Sequence, residues 1–354
     1  MINALLRCWY GRGFGACPAW LLPIHVLVLI PLSLFFGLMV RLRQVLYRLG
    51  LFRVDRLPVP VIVVGNLNVG GSGKTPLTIE LVQWLRLAGF TPGIVSRGYG
   101  GSAKNPMPVC SESDPALVGD EPVLLARRAR CPIWVGRKRA EAGRQLLMFH
   151  PEVDVLIADD GLQHRALARD IELVVVDAVR GFGNGWLLPA GPLREPLSRL
   201  KHVDALVVNG AQTVLASVPA ACPRFLMQIT GENFVNLAQP ERVVKAAFFA
   251  GAIVQAVAGI GNPERFFKHL AGLGISATPR AFADHHVFVG SDLPAGVVLM
   301  TEKDAVKCAA LGVDSARHDL WFLAVDAVVD AGLQSLIINL LNQRKSAKNG
   351  SKTT

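Results

Sequence analysis

The stretch from Val59 to Thr78, VPVIVVGNLNVGGSGKTPLT, limits the fold of this chain more than any other. Its β-branched run, Val61-Ile62-Val63-Val64, reads as a buried strand, and Leu77 to Leu87 reads as an amphipathic helix. A glycine-rich turn and Lys74-Thr75 lie between them. Strand, glycine turn, Lys-Thr and helix, in that order, make a phosphate-binding loop. Gly70, Gly71 and Gly73 let the backbone wrap closely, so that its N–H groups can face phosphate oxygens. The helix N-terminus adds partial positive charge at the same place. The expected nucleotide contacts are Asn68, Val69, Gly70, Gly71, Ser72, Gly73, Lys74 and Thr75. Lys74 is expected to reach the β- and γ-phosphates, and the Thr75 hydroxyl to ligate Mg²⁺. The strict pattern G-x-x-x-x-G-K-[ST] puts glycine where this chain has Asn68. An ordinary turn with a surface lysine does not explain three glycines followed by Lys-Thr at a helix start.

A chain of 354 residues has room for two domains. Its apolar fraction is 51%, and its mean hydropathy of +0.37 is high for a purely soluble enzyme. A net charge of +10 points to an anionic partner: membrane phospholipid, a phosphorylated substrate or nucleic acid. No lysine-rich tract with interleaved aromatics occurs, so nucleic acid is not expected. The six cysteines (8, 17, 110, 131, 222 and 308) are scattered and form no C-x-x-C pair. That predicts reduced thiols, with neither a disulfide framework nor a zinc site.

Residues 1–45 form a hydrophobic segment. From Gly13 to Val40 there is no Asp, Glu, Lys or Arg, and Arg41, Arg43, Arg48 and Arg53 follow. The core, Trp20 to Val40, is long enough to cross a bilayer, although Pro18, Pro23 and Pro31 interrupt it. A cleaved signal peptide is disfavoured because no small-residue cleavage site is present. A spanning helix and a buried soluble helix are alternatives. The preferred reading is a kinked helix lying in one leaflet, its arginines on lipid phosphates.

Residues 46–225 read as a parallel α/β sheet domain of the phosphate-loop nucleotidase type. A second strand, Thr91 to Val95, ends in SRGYG, at the edge where parallel sheets bind ligands. Arg97 can meet phosphate or substrate there, or be a surface arginine in a turn. Asp120 and Glu121 precede Pro122 and a helical pattern; they are either a helix start or catalytic acids. The strand VDVLIADDGLQH ends in Asp159 and Asp160, as a strand that delivers a carboxylate to Mg²⁺ would. The two point to opposite faces if the strand continues, so one is expected to face the metal directly. Gln163 and His164 follow on the turn. The loop 181–199 is rich in Gly and Pro and carries Arg194, Glu195, Arg199 and Trp186, which suits an ordered substrate loop.

Residues 226–335 read as a second, smaller α/β domain. Segment 225–237 and the late strand LWFLAVDAV, Leu320 to Val328, are expected to pair as a two-stranded bridge between the lobes, a natural hinge. Residues 336–354 are expected to end a helix and continue as a disordered basic tail.

Membrane-associated partitioning ATPases share G-G-x-G-K-T but carry a lysine where this chain has Val69. No N-K-x-D guanine motif stands in the right register, so ATP is the expected nucleotide. The ordered set GN-x-x-VGG-x-GKTP, SRGYG, GDEP, DDG-x-QH, P-AGPLREP, GIGNP-x-RFF, DHH and TEKDAVK resembles the tetraacyldisaccharide 4'-kinase (lipid A 4'-kinase) family over roughly residues 40–330. In that family position 68 does not need glycine.

The resemblance implies transfer of the ATP γ-phosphoryl to the 4'-hydroxyl of a tetraacylated glucosamine disaccharide 1-phosphate, at the cytosolic face of the inner membrane. It implies Asp120 as proton acceptor, supported by His285, with His286 less favoured. Lys74 joins them as a catalytic residue. Thr75, Glu121, Asp159, Asp160 and Gln163 become Mg²⁺ candidates, and Arg97, His164 and Arg194 become substrate contacts. On spacing alone, an adjacent His pair is more often a turn feature. The competing reading is a membrane-bound ATPase switch of the partitioning type, with a protein partner and no small-molecule acceptor.

Overall fold

A computed structural model describes residues 2–11, 17–210, 219, 221–312 and 317–350. The helices are α1 (Ile2–Tyr10), α2 (Leu22–Arg48), α3 (Lys74–Leu87), α4 (Pro115–Val118), α5 (Asp120–Ala129), α6 (Arg139–Phe149), α7 (Pro263–Gly272), α8 (Glu302–Ala309) and α9 (Ala331–Gly350). The strands of the first half are β1 (Val61–Gly65), β2 (Pro92–Ser96), β3 (Met107–Pro108), β4 (Ile133–Val135), β5 (Val155–Asp159), β6 (Ile171–Asp177) and β7 (Ala205–Asn209). Those of the second are β8 (Arg224–Asn236), β9 (Val243–Lys245), β10 (Val254–Ala258), β11 (Ala277–Ala281), β12 (Gly296–Thr301) and β13 (His318–Val329).

All the strands join one sheet, ordered β11-β10-β12-β13-β8-β7-β6-β1-β5-β2-β4-β3, with β9 on β8. β1, β5, β6 and β7 are buried at every position, as central parallel strands covered on both faces must be. Alternate residues feed two cores. Ile62 and Val64 pack with Leu77, Leu81 and Leu85 of α3, Val123 of α5 and Leu333, Ile337 and Leu341 of α9. Val61 and Val63 pack on the other face with Leu146 of α6 and Leu162. β8 and β13 pair antiparallel, Phe322 opposite Val235, which is the expected bridge between two parallel halves. The second half has its own cores, around Phe234, Phe266 and Trp321 and around Phe288 and Met300.

The hydrophobic segment is one helix of 27 residues, α2, about 40 Å long. Pro23 sits in the first turn, where a missing N–H costs nothing, and Pro31 lies in the helix interior just after a π-helical stretch, His25–Leu29. α2 touches the rest of the protein along a narrow stripe. Ser33 Oγ donates to the Leu187 carbonyl at 2.8 Å, Gly37 lies against Leu187, and Gln44 Nε2 donates to Glu195 at 3.3 Å. Leu27, Leu34 and Phe35 stay exposed.

Two expectations need correction. Cys8 and Cys17 are joined by a disulfide, with their Cα atoms 4.3 Å apart; a spacing of nine residues gave no sign of it. The basic C-terminal stretch is not a loose tail as far as Gly350. It is helical, and Arg344 and Lys345 pair with Asp170 at 2.8 Å and Asp154 at 3.0 Å. Only residues 351–354 of that stretch lie outside the described residues.

Candidate active site

β1 ends at Gly65 and α3 begins at Lys74; the loop between them sits at the C-terminal ends of the parallel strands. Gly73 has φ +97°, and a Cβ there would stand 2.3 Å from Asn209 Nδ2, so only glycine fits. Asn209, at the end of β7, donates to the Ser72 carbonyl at 2.8 Å and accepts from Arg265 at 2.6 Å. Asn66 Nδ2 holds the Gly70 carbonyl at 3.1 Å. Among the described residues, none of the N–H groups of Gly70, Gly71, Ser72 and Gly73 is donated to a protein acceptor. Asn68 and Val69 do another job: Asn68 Nδ2 donates to the Gly181 carbonyl at 2.7 Å and Val69 N–H to the Pro192 carbonyl at 2.9 Å. They fasten the loop to the 181–199 segment.

Register places the acids. Asp159 lies opposite Val64, one strand from the loop. β5 stops there, and Asp160 takes φ +45°. The turn lets both carboxylates enter the site, where a continuing strand would have split them. Asp160 lies 3.5 Å from Lys74 Nζ and 3.3 Å from Arg194. Burial pushes its pKa up, but Lys74, Arg194 and Arg139 outweigh this and hold it down to about 2. Asp159 has the opposite fate. Burial, then the charge of Glu121, pushes its carboxyl well above the usual range, and its Oδ2 is buried without a partner. Its other oxygen accepts from the Thr78 hydroxyl at 3.5 Å. An orphaned buried carboxylate oxygen with the Glu121 carboxylate as a charged neighbour is a donor set that suits a hard divalent cation. Gln163 Nε2 donates to the Asn66 carbonyl at 3.0 Å and so supports the loop.

Asp159→Asn is therefore expected to raise Tm by a few degrees in metal-free buffer, since it removes an uncompensated buried charge. It should also abolish any Mg²⁺-dependent rise in Tm. Calorimetry with and without Mg²⁺ checks both.

A second group gathers around Asp120. His285 Nδ1 lies 3.2 Å from both Asp120 carboxylate oxygens, and the Tyr99 ring packs 4.8 Å from the His285 ring. His286 turns away to Asp292 at 2.9 Å and stacks on Phe282. Lys303, at the start of α8, reaches Glu121 at 2.9 Å, His285 Nε2 at 3.3 Å, Asp284 at 3.4 Å and Asp120 at 3.9 Å. Burial raises the Asp120 pKa, but the His285 hydrogen bond and the Lys303 charge prevail and hold it below the usual range. Burial lowers the His285 value; the bond to Asp120 reverses this and raises it. Each partner of the pair thus favours the charged form of the other.

Lys303→Met removes a charge that lowers the Asp120 pKa. The acid limb of the kcat/KM profile should then move to higher pH, because more protons must leave before Asp120 is ionised. A limb that stays in place would show that Lys303 does not tune Asp120.

One cavity of about 190 Å³ is lined by Gly71 to Thr75, Glu121, Asp177, Gly261, Arg265, Asp284 and Lys303. The Gly261 backbone approaches the loop so closely that a Cβ there would lie 2.3 Å from Gly71 N. Both halves of the sheet thus supply the site. Beyond Arg194, Arg97 is exposed and has no ion pair among the described residues. Burial, then the charges of Arg139 and Arg169, hold His164 down to about 4, so it is neutral at pH 7.

A family model described as tetraacyldisaccharide-1-P 4'-kinase (LpxK) matches residues 25–342. The chain belongs to this kinase family. A tetraacyldisaccharide 4'-kinase from Methylobacillus flagellatus is 47% identical, covering 96% of each chain. One from Azoarcus sp. is 50% identical over 90% of this chain and 92% of its own. The solved structure of LpxK from Aquifex aeolicus, an "apo" form in complex with ATP, matches with a TM-score of 0.74 at 30% identity, covering 88% of this chain and 98% of that one. Family membership sets the partitioning-switch reading aside. Lys303, Arg139, Asn209 and Arg265 shape the site and were not expected from sequence. Arg139 is almost wholly buried and donates to the Asp160 carbonyl at 2.7 Å, bracing the double aspartate from behind.

Proposed function

We infer that this chain transfers the γ-phosphoryl group of ATP to the 4'-hydroxyl of a tetraacylated glucosamine disaccharide 1-phosphate, a step of lipid A biosynthesis. The observation that carries the reading is one small cavity lined both by the phosphate loop, Gly71 to Thr75, and by Glu121, Asp284 and Lys303, the chain neighbours and ion partner of the Asp120–His285 pair. The loop amides and Lys74 hold the β- and γ-phosphates and take up charge on the transferring group. Asp120, ionised at rest, accepts the hydroxyl proton as the phosphoryl leaves. His285 keeps its ring on Asp120 and stabilises that carboxylate's orientation. A weakly basic acceptor suits a loose transition state, in which the proton departs late. Thr75, Glu121 and Asp159 would hold Mg²⁺, with Asp160 beside them, and the ion neutralises phosphate charge. Arg97, His164 and Arg194 line the way in for an anionic sugar.

The substrate is an acylated lipid, so the enzyme must dock on a membrane. α2 supplies an apolar face whose docked stripe runs from Ser33 to Gln44, parallel to the body of the protein. A helix fastened along its length fits insertion into one leaflet better than crossing both. Between α2 and the 185–197 loop lies a depression of about 330 Å³ lined by Leu34, Leu38, Trp186 and Leu197, which suits an acyl chain. Arg41, Arg43 and Arg48 would lie at the phosphate level of the inner-membrane surface facing the cytosol, the side that holds ATP.

Phosphate labelled at the γ-position should appear on a purified acyl-disaccharide, and mass spectrometry should place it at the 4' position. Labelling at another position, or release as inorganic phosphate only, would overturn the reading. Leu34→Asp with Phe35→Asp should reduce flotation with anionic vesicles by about tenfold or more, while ATP binding persists, because apolar insertion supplies most of such binding.

A further inference from the structure

Outside the kinase site, the N-terminal segment brings three soft ligands together. Cys8 lies in the last turn of α1, Cys17 precedes α2, and His25 opens the π-helical stretch of α2. One ligand atom from each lies within 4.8 Å of the other two. Cys8, Cys17 and His25 are 8%, 9% and 3% exposed, in a pocket closed by Leu21 and Ala4. His25 Nδ1 is buried with no hydrogen-bond partner. A buried imidazole nitrogen left unpaired costs free energy comparable to a lost hydrogen bond, unless another ligand takes it. The cysteines next to it are joined as a disulfide in this structure. On the cytosolic side, where ATP is used, dithiols are kept reduced.

We propose that in the reduced protein Cys8, Cys17 and His25 form a binding site for one soft d¹⁰ cation, Cu(I) or Zn(II), mutually exclusive with the disulfide. A dithiol reductant delivers two electrons and two protons to the disulfide, becomes a disulfide itself, and leaves two thiols. The cation then displaces both thiol protons to solvent and takes two thiolates and one neutral imidazole nitrogen. Two sulfurs sharing a metal at about 2.3 Å each stand just under ~4 Å apart, so the S–S bond must open first. Two thiolates select soft cations over Mg²⁺, which keeps this site apart from the kinase centre. With three protein ligands and dry walls, Cu(I) needs no further donor, whereas Zn(II) would add a water.

The site has a route to the phosphate loop. The Cys8 carbonyl accepts from Asn184 Nδ2 at 3.2 Å, and the Trp9 carbonyl accepts from Asn184 N at 2.7 Å. Trp9 Nε1 donates to the Pro189 carbonyl at 3.1 Å, and the Tyr10 hydroxyl to the Val69 carbonyl at 3.4 Å. Arg180 stacks over the Tyr10 ring. Whatever holds Cys8 to Cys17 therefore holds α1 against the shoulder of the phosphate loop.

The test uses the full chain in detergent micelles, reduced and desalted without oxygen, then titrated with Zn(II) or Cu(I) against a chromophoric chelator. One equivalent of either cation should bind. Cys8→Ser or Cys17→Ser should abolish that binding, and His25→Gln should weaken it by about tenfold or more, since losing a ligand costs at least what losing its outer partner does. Each variant should keep the helical content and the cooperative thermal melt of the parent protein, which certifies its fold. Bound cation should protect Cys8 and Cys17 from maleimide while the exposed Cys110 still reacts. Absence of one-to-one binding, or binding that survives both serine variants, overturns the proposal.

Discussion

Lys74→Ala is expected to lower kcat for phosphoryl transfer by about three orders of magnitude, with little change in Tm. The size follows from the role: removing one donor preorganised for transition-state charge costs about 10²–10³ in rate, and a full positive charge on a phosphoryl group lies at the upper end. The small stability effect follows from the geometry. Among the described residues the Lys74 ammonium pairs with Asp160 at 3.5 Å and with no other acid, and Asp160 keeps Arg194. Steady-state kinetics and thermal melts on one preparation separate the two quantities. A loss confined to KM would mean that Lys74 serves ground-state binding only.

Asp120→Asn is expected to cost about 10²–10⁴ in kcat, the range for a positioned proton acceptor. The carboxamide keeps the shape but neither takes the proton nor holds the imidazolium. His285→Gln should cost less alone. The double variant should be scarcely slower than Asp120→Asn, because the two residues act as one unit through the 3.2 Å contact. Stability should respond as well. His285 has a raised pKa in the fold, so its pairing stabilises the protein fully below the ordinary histidine value and fades as pH rises through the folded value. Asp120, held low, contributes above the ordinary aspartate value and loses that contribution as pH falls through its folded value. Between the two limits both contribute, and the double variant should lose the most stability there. Full additivity of the rate losses would argue that Asp120 and His285 work separately.

Some of this was legible in the chain because it rests on local pattern. The loop from Gly70 to Thr75, the strand ending in Asp159-Asp160 and the buried runs of β1, β5 and β6 are each carried by residues next to one another. The β8–β13 bridge was legible too, from the alternation of 225–237 and the late apolar strand Leu320 to Val328. Other features depend on contacts between distant segments. Lys303 reads as an ordinary helix-start lysine until its approach to Glu121 is seen, 182 positions away. Asn209 lies 137 positions from the carbonyl it holds. Arg139 begins a helix with no N-cap side-chain bond to announce it, and its burial follows from packing against β5. Backbone geometry separates His285 from His286: His285 takes φ +58° with its ring on Asp120, while the His286 ring bonds to Asp292. Asn68 and Val69 belonged to the motif by position, yet their polar groups face the 181–199 segment.

The account rests on a triphosphate held by the loop with its terminal phosphorus facing Asp120. A structure with Mg²⁺ and a non-hydrolysable ATP analogue measures this most directly. The predicted result is a γ-phosphate within hydrogen-bonding reach of the Gly71–Thr75 amides and Lys74, with its open face toward Asp120 and His285. A triphosphate bound elsewhere, or one whose γ-phosphorus points away from Asp120, would contradict it.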